Sequence, residues 1–447
     1  MTLKRSIGLA APLALGLAIG SAGLQHDGAR LSAALSLCWV VLATVHNTLA
    51  QPQNGTSIRA WPFAIVLLLA LNIRGIVMKE GPQPVSHMDF VLLIAAVLAG
   101  QGQSRVFWRT TLSTVSLTIA SCGALRSALV WQHLFDNKFG LRLGDLLVNQ
   151  TAMLTGLGCI SGLAALQLWL ERLPIATADN RSTQTFSRIG ILVSLGLSSM
   201  TCAAMTFATH SRAGIGLIPI SLLCSWFLQK GARQWLGITK WLRNHMLSIA
   251  IAIALTAGIP ILWLTSPQGT YLRQTLTNVY GGENRVSDQG RLDLWRCYAS
   301  LPFQGNNWFL YGVGYGRARE LCPIRLPNST KPLSHAHNLP LQIWAEAGTL
   351  PMALILAGAV QFGRRIVRQQ GKPKAMALSS PLIYGVLFNL VELGMLKVPV
   401  LTVLFGYLFS GPLIGSELNA SAGGNRPEEN ADNGGTKEEA LSKLEPL

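Results

Sequence analysis

The segment Ser334-His335-Ala336-His337-Asn338-Leu339-Pro340-Leu341-Gln342-Ile343-Trp344-Ala345-Glu346-Ala347-Gly348 marks the point where a long polar stretch runs into an apolar helix. On its N-terminal side, residues 265–337 are the one sizeable segment read as lying outside a membrane. On its C-terminal side, and throughout residues 1–264, the chain is a series of apolar spans with little polar chemistry. Two histidines, preceded by a run of arginines at the foot of a hydrophobic helix, are hard to explain by packing alone.

Working outward, the 447 residues are 50% hydrophobic and only 13% charged. A soluble protein of this length carries about 25% charged residues. Low charge and long apolar runs indicate an all-α polytopic membrane protein, each crossing taking roughly 20 apolar residues. Twelve candidate spans are read near 6–24, 31–50, 60–78, 86–100, 110–131, 152–170, 187–208, 213–228, 246–264, 338–362, 376–395 and 397–413. The expected organisation is therefore transmembrane helices 1–9 over residues 1–264, one long periplasmic loop with short helices over 265–337, transmembrane helices 10–12 over 338–413, and a tail over 414–447. That tail has seven acidic and three basic residues, and is read as disordered and cytoplasmic. The first span, with Lys4-Arg5 before it and Ser21-Ala22-Gly23 at its end, also has the outline of a signal peptide. It is long enough to span, and a multispanning chain normally keeps its first helix as an anchor.

The net charge of +16 follows the membrane rather than a nucleic acid. With the N-terminus in the cytoplasm, the short loops on that side hold seventeen Lys and Arg against six on the other. This positive-inside bias puts 265–337 outside the cytoplasm. That loop is too long to be governed by the count, so its own arginines need another explanation.

Within the loop, Arg291-Leu292-Asp293-Leu294-Trp295-Arg296-Cys297-Tyr298 has apolar residues at 292, 294, 295 and 298, a pattern an amphipathic helix can use. Such a helix would lie on the membrane surface, with Trp295 and Trp308 near the interface. The run Tyr311-Gly312-Val313-Gly314-Tyr315-Gly316 lacks the strand and helix of a dinucleotide site and reads as a turn before the histidines. Cys297 and Cys322 share the outer loop, where oxidation is possible, although spacing alone does not show proximity. The other five cysteines fall in or near spans and read as small buried apolar residues.

The candidate chemistry rests on arginines and histidines. Arg212 stands in His210-Ser211-Arg212-Ala213-Gly214, a very short outer connection, and Arg285 and Arg291 flank Val286–Gly290. Each could snorkel to lipid phosphates. Several arginines facing one cavity would instead clamp a diphosphate, because the planar guanidinium matches phosphate oxygens and keeps its charge. Two histidines at i and i+2 could hold a metal on an extended strand, but no cysteine or carboxylate cluster lies close by in sequence. A general base is the better fit, since imidazole titrates near neutrality and can accept a hydroxyl proton. Glu346, nine residues after His337, is too far down the helix to orient it. Arg74, Arg126, Glu392 and Lys397 fall within spans, and Glu392 with Lys397 reads as an ion pair across the tight turn between the last two.

Ser-Arg-Ala-Gly at 211–214, Gly-Arg-Leu-Asp-Leu-Trp at 290–295, Tyr-Gly-Val-Gly-Tyr-Gly at 311–316 and His-Ala-His-Asn at 335–338 followed by Glu-Ala-Gly-Thr-Leu at 346–350 occur in that order. Together they resemble the O-antigen ligase and O-antigen polymerase superfamily, most strongly over roughly residues 200–400. The resemblance implies a metal-independent glycosyltransferase of the bacterial inner membrane, without cofactor, active on the periplasmic face. It would move a glycan from undecaprenyl diphosphate to lipid A-core, to a second lipid-linked glycan or, in some branches, to protein. Membrane lipids would surround it, and nucleic acid would play no part. By motif, Arg212, Arg291 and His337 match the family's catalytic positions, with Arg285, His335, Asn338 and His210 as candidate substrate-binding residues around them. The family pattern continues Gly-x-x-Gly, whereas this chain reads Gly348-Thr349-Leu350-Pro351, which puts the local helix geometry in doubt.

A polysaccharide or lipid transporter would share the span count and the scattered charges. It would also be expected to show interrupted spans in matching halves, and the sequence shows no such halves.

Overall fold

The computed structural model describes residues 2–24, 28–50, 66, 84–100, 103, 105–129, 141–144, 146–170, 182–209, 211–225, 288–324, 335–368, 373–392 and 398–414. Among these the regular structure is entirely helical. The helices are α1 (Thr2–Leu24), α2 (Gly28–Ala50), α3 (Pro84–Gly100), α4 (Arg105–Leu129), α5 (Val148–Leu170), α6 (Ser182–Ala208) and α7 (Arg212–Ser225). After them come α8 (Asp288–Ser300), a 3-10 turn (Leu301–Phe303), α9 (Trp308–Tyr311), α10 (Ala318–Leu321), α11 (Leu339–Ala347), α12 (Thr349–Arg368), α13 (Pro373–Val391) and α14 (Pro399–Ile414). The spans read near 60–78 and 246–264 and the tail after 414 lie outside the described residues.

Four stretches are long and apolar enough to cross a membrane: Ser6–Gly23, Arg30–Leu49, Val148–Leu170 and Ile189–Ala208. Their outward faces are apolar. Leu9, Leu13 and Leu17 on α1 and Ile189, Val193, Leu197 and Met200 on α6 are all more than half exposed. Stripes of this kind at helical spacing belong against hydrocarbon, not water.

Inside the bundle α1 packs on α2 and α4, α5 on α4, α6 and α13, and α14 on α3 and α13. Lipid supplies no hydrophobic drive between helices, so small residues and hydroxyls make the contacts. Ser116 meets Ser198 at 2.8 Å, and Thr206 donates to Thr155 at 2.9 Å. At Gly156 a Cβ would occupy the place of the Tyr384 hydroxyl. That ring sits fully buried between α5 and α7, its hydroxyl donating to Ala152 O at 3.2 Å.

Two expectations change. The span read as one helix over 338–362 is two, α11 and α12, broken at Gly348 with φ +91°. A Cβ there would collide with Leu310 O, so only glycine fits. The amphipathic helix exists as α8, but the stripe it buries against protein leaves out Leu292. Leu294, Tyr298 and the following Leu301 form its buried stripe, against Val313, Ala318, Cys322, Ala336 and Ala345. Leu292 is exposed, and the Trp295 indole donates to Ala336 O at 2.8 Å. The i, i+4, i+7 spacing outweighs the count of apolar residues, because only that spacing keeps one face turned inward.

Candidate active site

The site is built around a short loop held from both sides. Ala336 is fully buried, its carbonyl taken by Trp295 of α8 and its N–H donating to Gln342 Oε1 of α11 at 2.7 Å. The next residue, His337, therefore turns with φ +51°, a left-handed conformation that costs a non-glycine residue free energy and persists only where neighbours impose it. Asn338 then caps α11. Its Oδ1 accepts from Leu341 N at 2.9 Å, and its Nδ2 donates to Leu390 O at 2.9 Å, tying the cap to the end of α13.

The far end of α11 is closed by the glycine turn. Val313 N donates to Ala345 O at 2.8 Å, Gly314 N to Glu346 O at 3.0 Å, and Gly316 N to Glu346 Oε1 at 2.9 Å. Gly312, Gly314 and Gly316 all have positive φ. The turn satisfies carbonyls that a helix end leaves unpaired, and Glu346 serves it rather than His337.

The end of α13 brings Glu392 against His337. Glu392 is 2% exposed, and its carboxylate takes three donors from three distant parts of the chain. Oε2 accepts from His337 Nδ1 at 2.7 Å and from Asn149 Nδ2 at 2.8 Å, and Oε1 accepts from Arg291 Nη2 at 2.5 Å. Burial opposes the charge on this carboxylate. The three hydrogen bonds, one of them from a guanidinium, offset that and favour the ionised form. An ionised carboxylate only accepts, so Nδ1 of His337 carries a proton, and in the neutral ring Nε2 presents a lone pair. Among the described residues nothing hydrogen-bonds Nε2. The group is thus equipped as a general base, its partner carboxylate fixing the tautomer and ready to stabilise the imidazolium.

Of the residues singled out in the sequence, His337 and Arg291 meet at one carboxylate, and His335 lies beside them, its ring 4.4 Å from that of His337. Asn338 spends both ends of its amide on backbone groups. Arg212, the first residue of α7, is exposed, and two residues on, Gly214 packs on Ala152, one turn along α5 from the Asn149 that bonds Glu392. His210 and Arg285 lie outside the described residues. Cys297 and Cys322 are joined in a disulfide, which ties α8 to α10. Nε of Arg291 is buried without a hydrogen-bond partner among the described residues, a donor still to be used.

The expected Glu392–Lys397 pair involves Lys397, which lies outside the described residues. Glu392, read in the sequence as structural, bonds to Arg291, His337 and Asn149. These partners lie 55, 101 and 243 residues away and left no local sign. Asn149 gave no sequence signal at all.

Residues 197–356, from the last turns of α6 through the histidines into α12, match the family model described as O-antigen ligase. A comparison with curated proteins finds no match.

Proposed function

On the premise of an O-antigen ligase domain over residues 197–356 in an apolar helical membrane protein, we propose that this chain is a glycosyltransferase taking its glycan from a lipid diphosphate and using His337 as base. The donor is an undecaprenyl-diphosphate-linked glycan and the acceptor a hydroxyl on lipid A-core or on a second lipid-linked glycan, reached from the periplasmic face of the inner membrane. The observation that carries the reading is the hydrogen bond of His337 Nδ1 to the buried carboxylate of Glu392.

The chemistry needs two things. An acceptor hydroxyl must lose its proton as its oxygen attacks the anomeric carbon, and Nε2 of His337 takes that proton. The bond from the anomeric carbon to the phosphate oxygen breaks with its electron pair, and the negative charge grows on the diphosphate. Arg291 is the natural stabiliser: Glu392 occupies one edge of its guanidinium, and Nε remains unspent. Arg212, exposed at the same end of the bundle, is a second cation for the diphosphate. Displacement at the anomeric carbon in one step inverts its configuration. Glu392 stays ionised throughout and balances the imidazolium until the proton leaves.

The test is the lipopolysaccharide profile of a deletion strain complemented with wild type or His337→Ala. A ligase leaves bare core with lipid-linked chains accumulating, and a polymerase leaves core carrying single repeat units. In either case wild type restores the profile and His337→Ala does not. Full restoration by His337→Ala removes the assignment. A profile unaffected by the deletion favours a protein acceptor or a transporter.

A further inference from the structure

We infer that Asn149 is a positioning residue for the His337–Glu392 pair, and that the segment 141–149 is built to deliver its amide to the carboxylate. The inference rests on the transfer reading above for its consequence, though not for its geometry.

Asn149 belongs to the first turn of α5, 243 residues from Glu392, and donates Nδ2 to the same Oε2 that takes the proton of His337 Nδ1. It cannot readily swing away. Just before α5 the chain is pinned by Leu141 N to Ala208 O at 2.9 Å, Leu143 N to Thr151 Oγ1 at 3.1 Å, and Leu147 N to Gln150 Oε1 at 2.9 Å. Gly144, at φ +53°, lies against Ala22 O at the end of α1, and Leu141, Leu143 and Leu146 are buried. A connection of this length needs none of these bonds merely to join two helices. Together they fix the start of α5, and with it the amide.

The consequence follows from sharing one oxygen between two donors. Each donor withdraws charge from Oε2, so Asn149 weakens the pull of Glu392 on the imidazole proton. That limits how strongly the carboxylate favours a second proton on the ring, which a general base must be free to take up from its substrate. Asn149 also holds the carboxylate plane where Nδ1 meets it. The charged and titratable groups acting on the Glu392 carboxylate are His337 and His335 of the loop before α11 and Arg291 of α8. Glu346 of α11 is turned to Gly316, and α5 carries no charged residue.

The test uses the full-length protein in detergent and diethyl pyrocarbonate, which acylates only an unprotonated imidazole. Acylation is followed from about pH 5 to about pH 8.5. Tandem mass spectrometry separates His337 from His335. The inflection then reads the titration of His337 without any substrate. In Asn149→Leu, which keeps the shape and removes the donor, the inflection should rise by about 0.5–1 pH unit relative to wild type. In Asn149→Ala, where water can replace the amide, it should rise by less. With donor and acceptor present, kcat of Asn149→Leu at neutral pH should fall about tenfold with KM little changed. If Asn149→Leu does not purify as a folded species, a rise in Asn149→Ala decides in favour, and an unmoved inflection decides against. An inflection unmoved in a folded Asn149→Leu overturns the inference even if transfer is active. Conversely, a risen inflection in a protein with no transfer activity would leave the positioning role intact and remove the transferase reading.

Discussion

His337 and Glu392 are bound to one another across 55 residues of chain, Nδ1 to Oε2 at 2.7 Å, with both side chains buried. The pair joins the loop before α11 to the end of α13, and everything proposed about the chemistry depends on it.

Replacing the base removes the reaction. His337→Ala and Arg291→Ala should each reduce transfer by at least about 10²-fold, since general-base and leaving-group stabilisation are each worth that much or more. Both variants should still reach the membrane and extract as folded protein. Near-normal glycan product from either would contradict the roles assigned.

Glu392→Gln separates charge from shape. The amide oxygen can still receive Nδ1–H, but it cannot balance an imidazolium, and the orientation of the ring is no longer enforced. Turnover should drop about 10²–10⁴-fold, as when the acid of a histidine-based triad is neutralised. Glu392→Ala should also lower stability, by about 1–3 kcal/mol, because it strands the donors of Arg291 and Asn149. A transfer assay measures the first effect and thermal unfolding in detergent the second.

Much of the site was legible in residue chemistry. The His-x-His-Asn segment, the arginine opening the amphipathic stretch and the glycine turn all stood out because their composition suits neither a lipid-facing helix nor a core. What sequence could not supply was pairing. Glu392 looked like a partner for Lys397 because proximity in sequence was the only available guide. A buried charge is satisfied by whatever the fold brings to it, here donors from α5, from α8 and from the loop before α11. The break at Gly348 was hidden for a similar reason: apolar periodicity runs on through 338–362, and only the approach of Leu310 O demands glycine there. The stripe of α8 was read only in part because the apolar residues were counted together, whereas burial follows Leu294 and Tyr298 and leaves Leu292 outside.

The same close approach makes a prediction. Gly348→Ala and Gly312→Ala should each be strongly disruptive, by about 1–3 kcal/mol or more, since each combines a positive φ with a backbone atom where the methyl would go. Gly363→Ala on α12, where a Cβ meets open space, should be neutral in the same melting assay.

The disulfide Cys297–Cys322 closes a loop 25 residues long around the glycine turn. Removing it with paired serines should lower stability by about 3 kcal/mol, chiefly through the freedom regained by the unfolded chain. Alkylation without reductant should leave both cysteines of the wild type unmodified. Alkylation of either would mean the loop is held by packing alone.

The most direct measurement is transfer by the purified protein supplied with an undecaprenyl-diphosphate-linked glycan and lipid A-core, following release of undecaprenyl diphosphate alongside glycosylated acceptor. The account predicts matched amounts of both products with wild type, inversion at the anomeric carbon, and neither product above background with His337→Ala. Transfer that persists in His337→Ala, or that retains configuration, would contradict it.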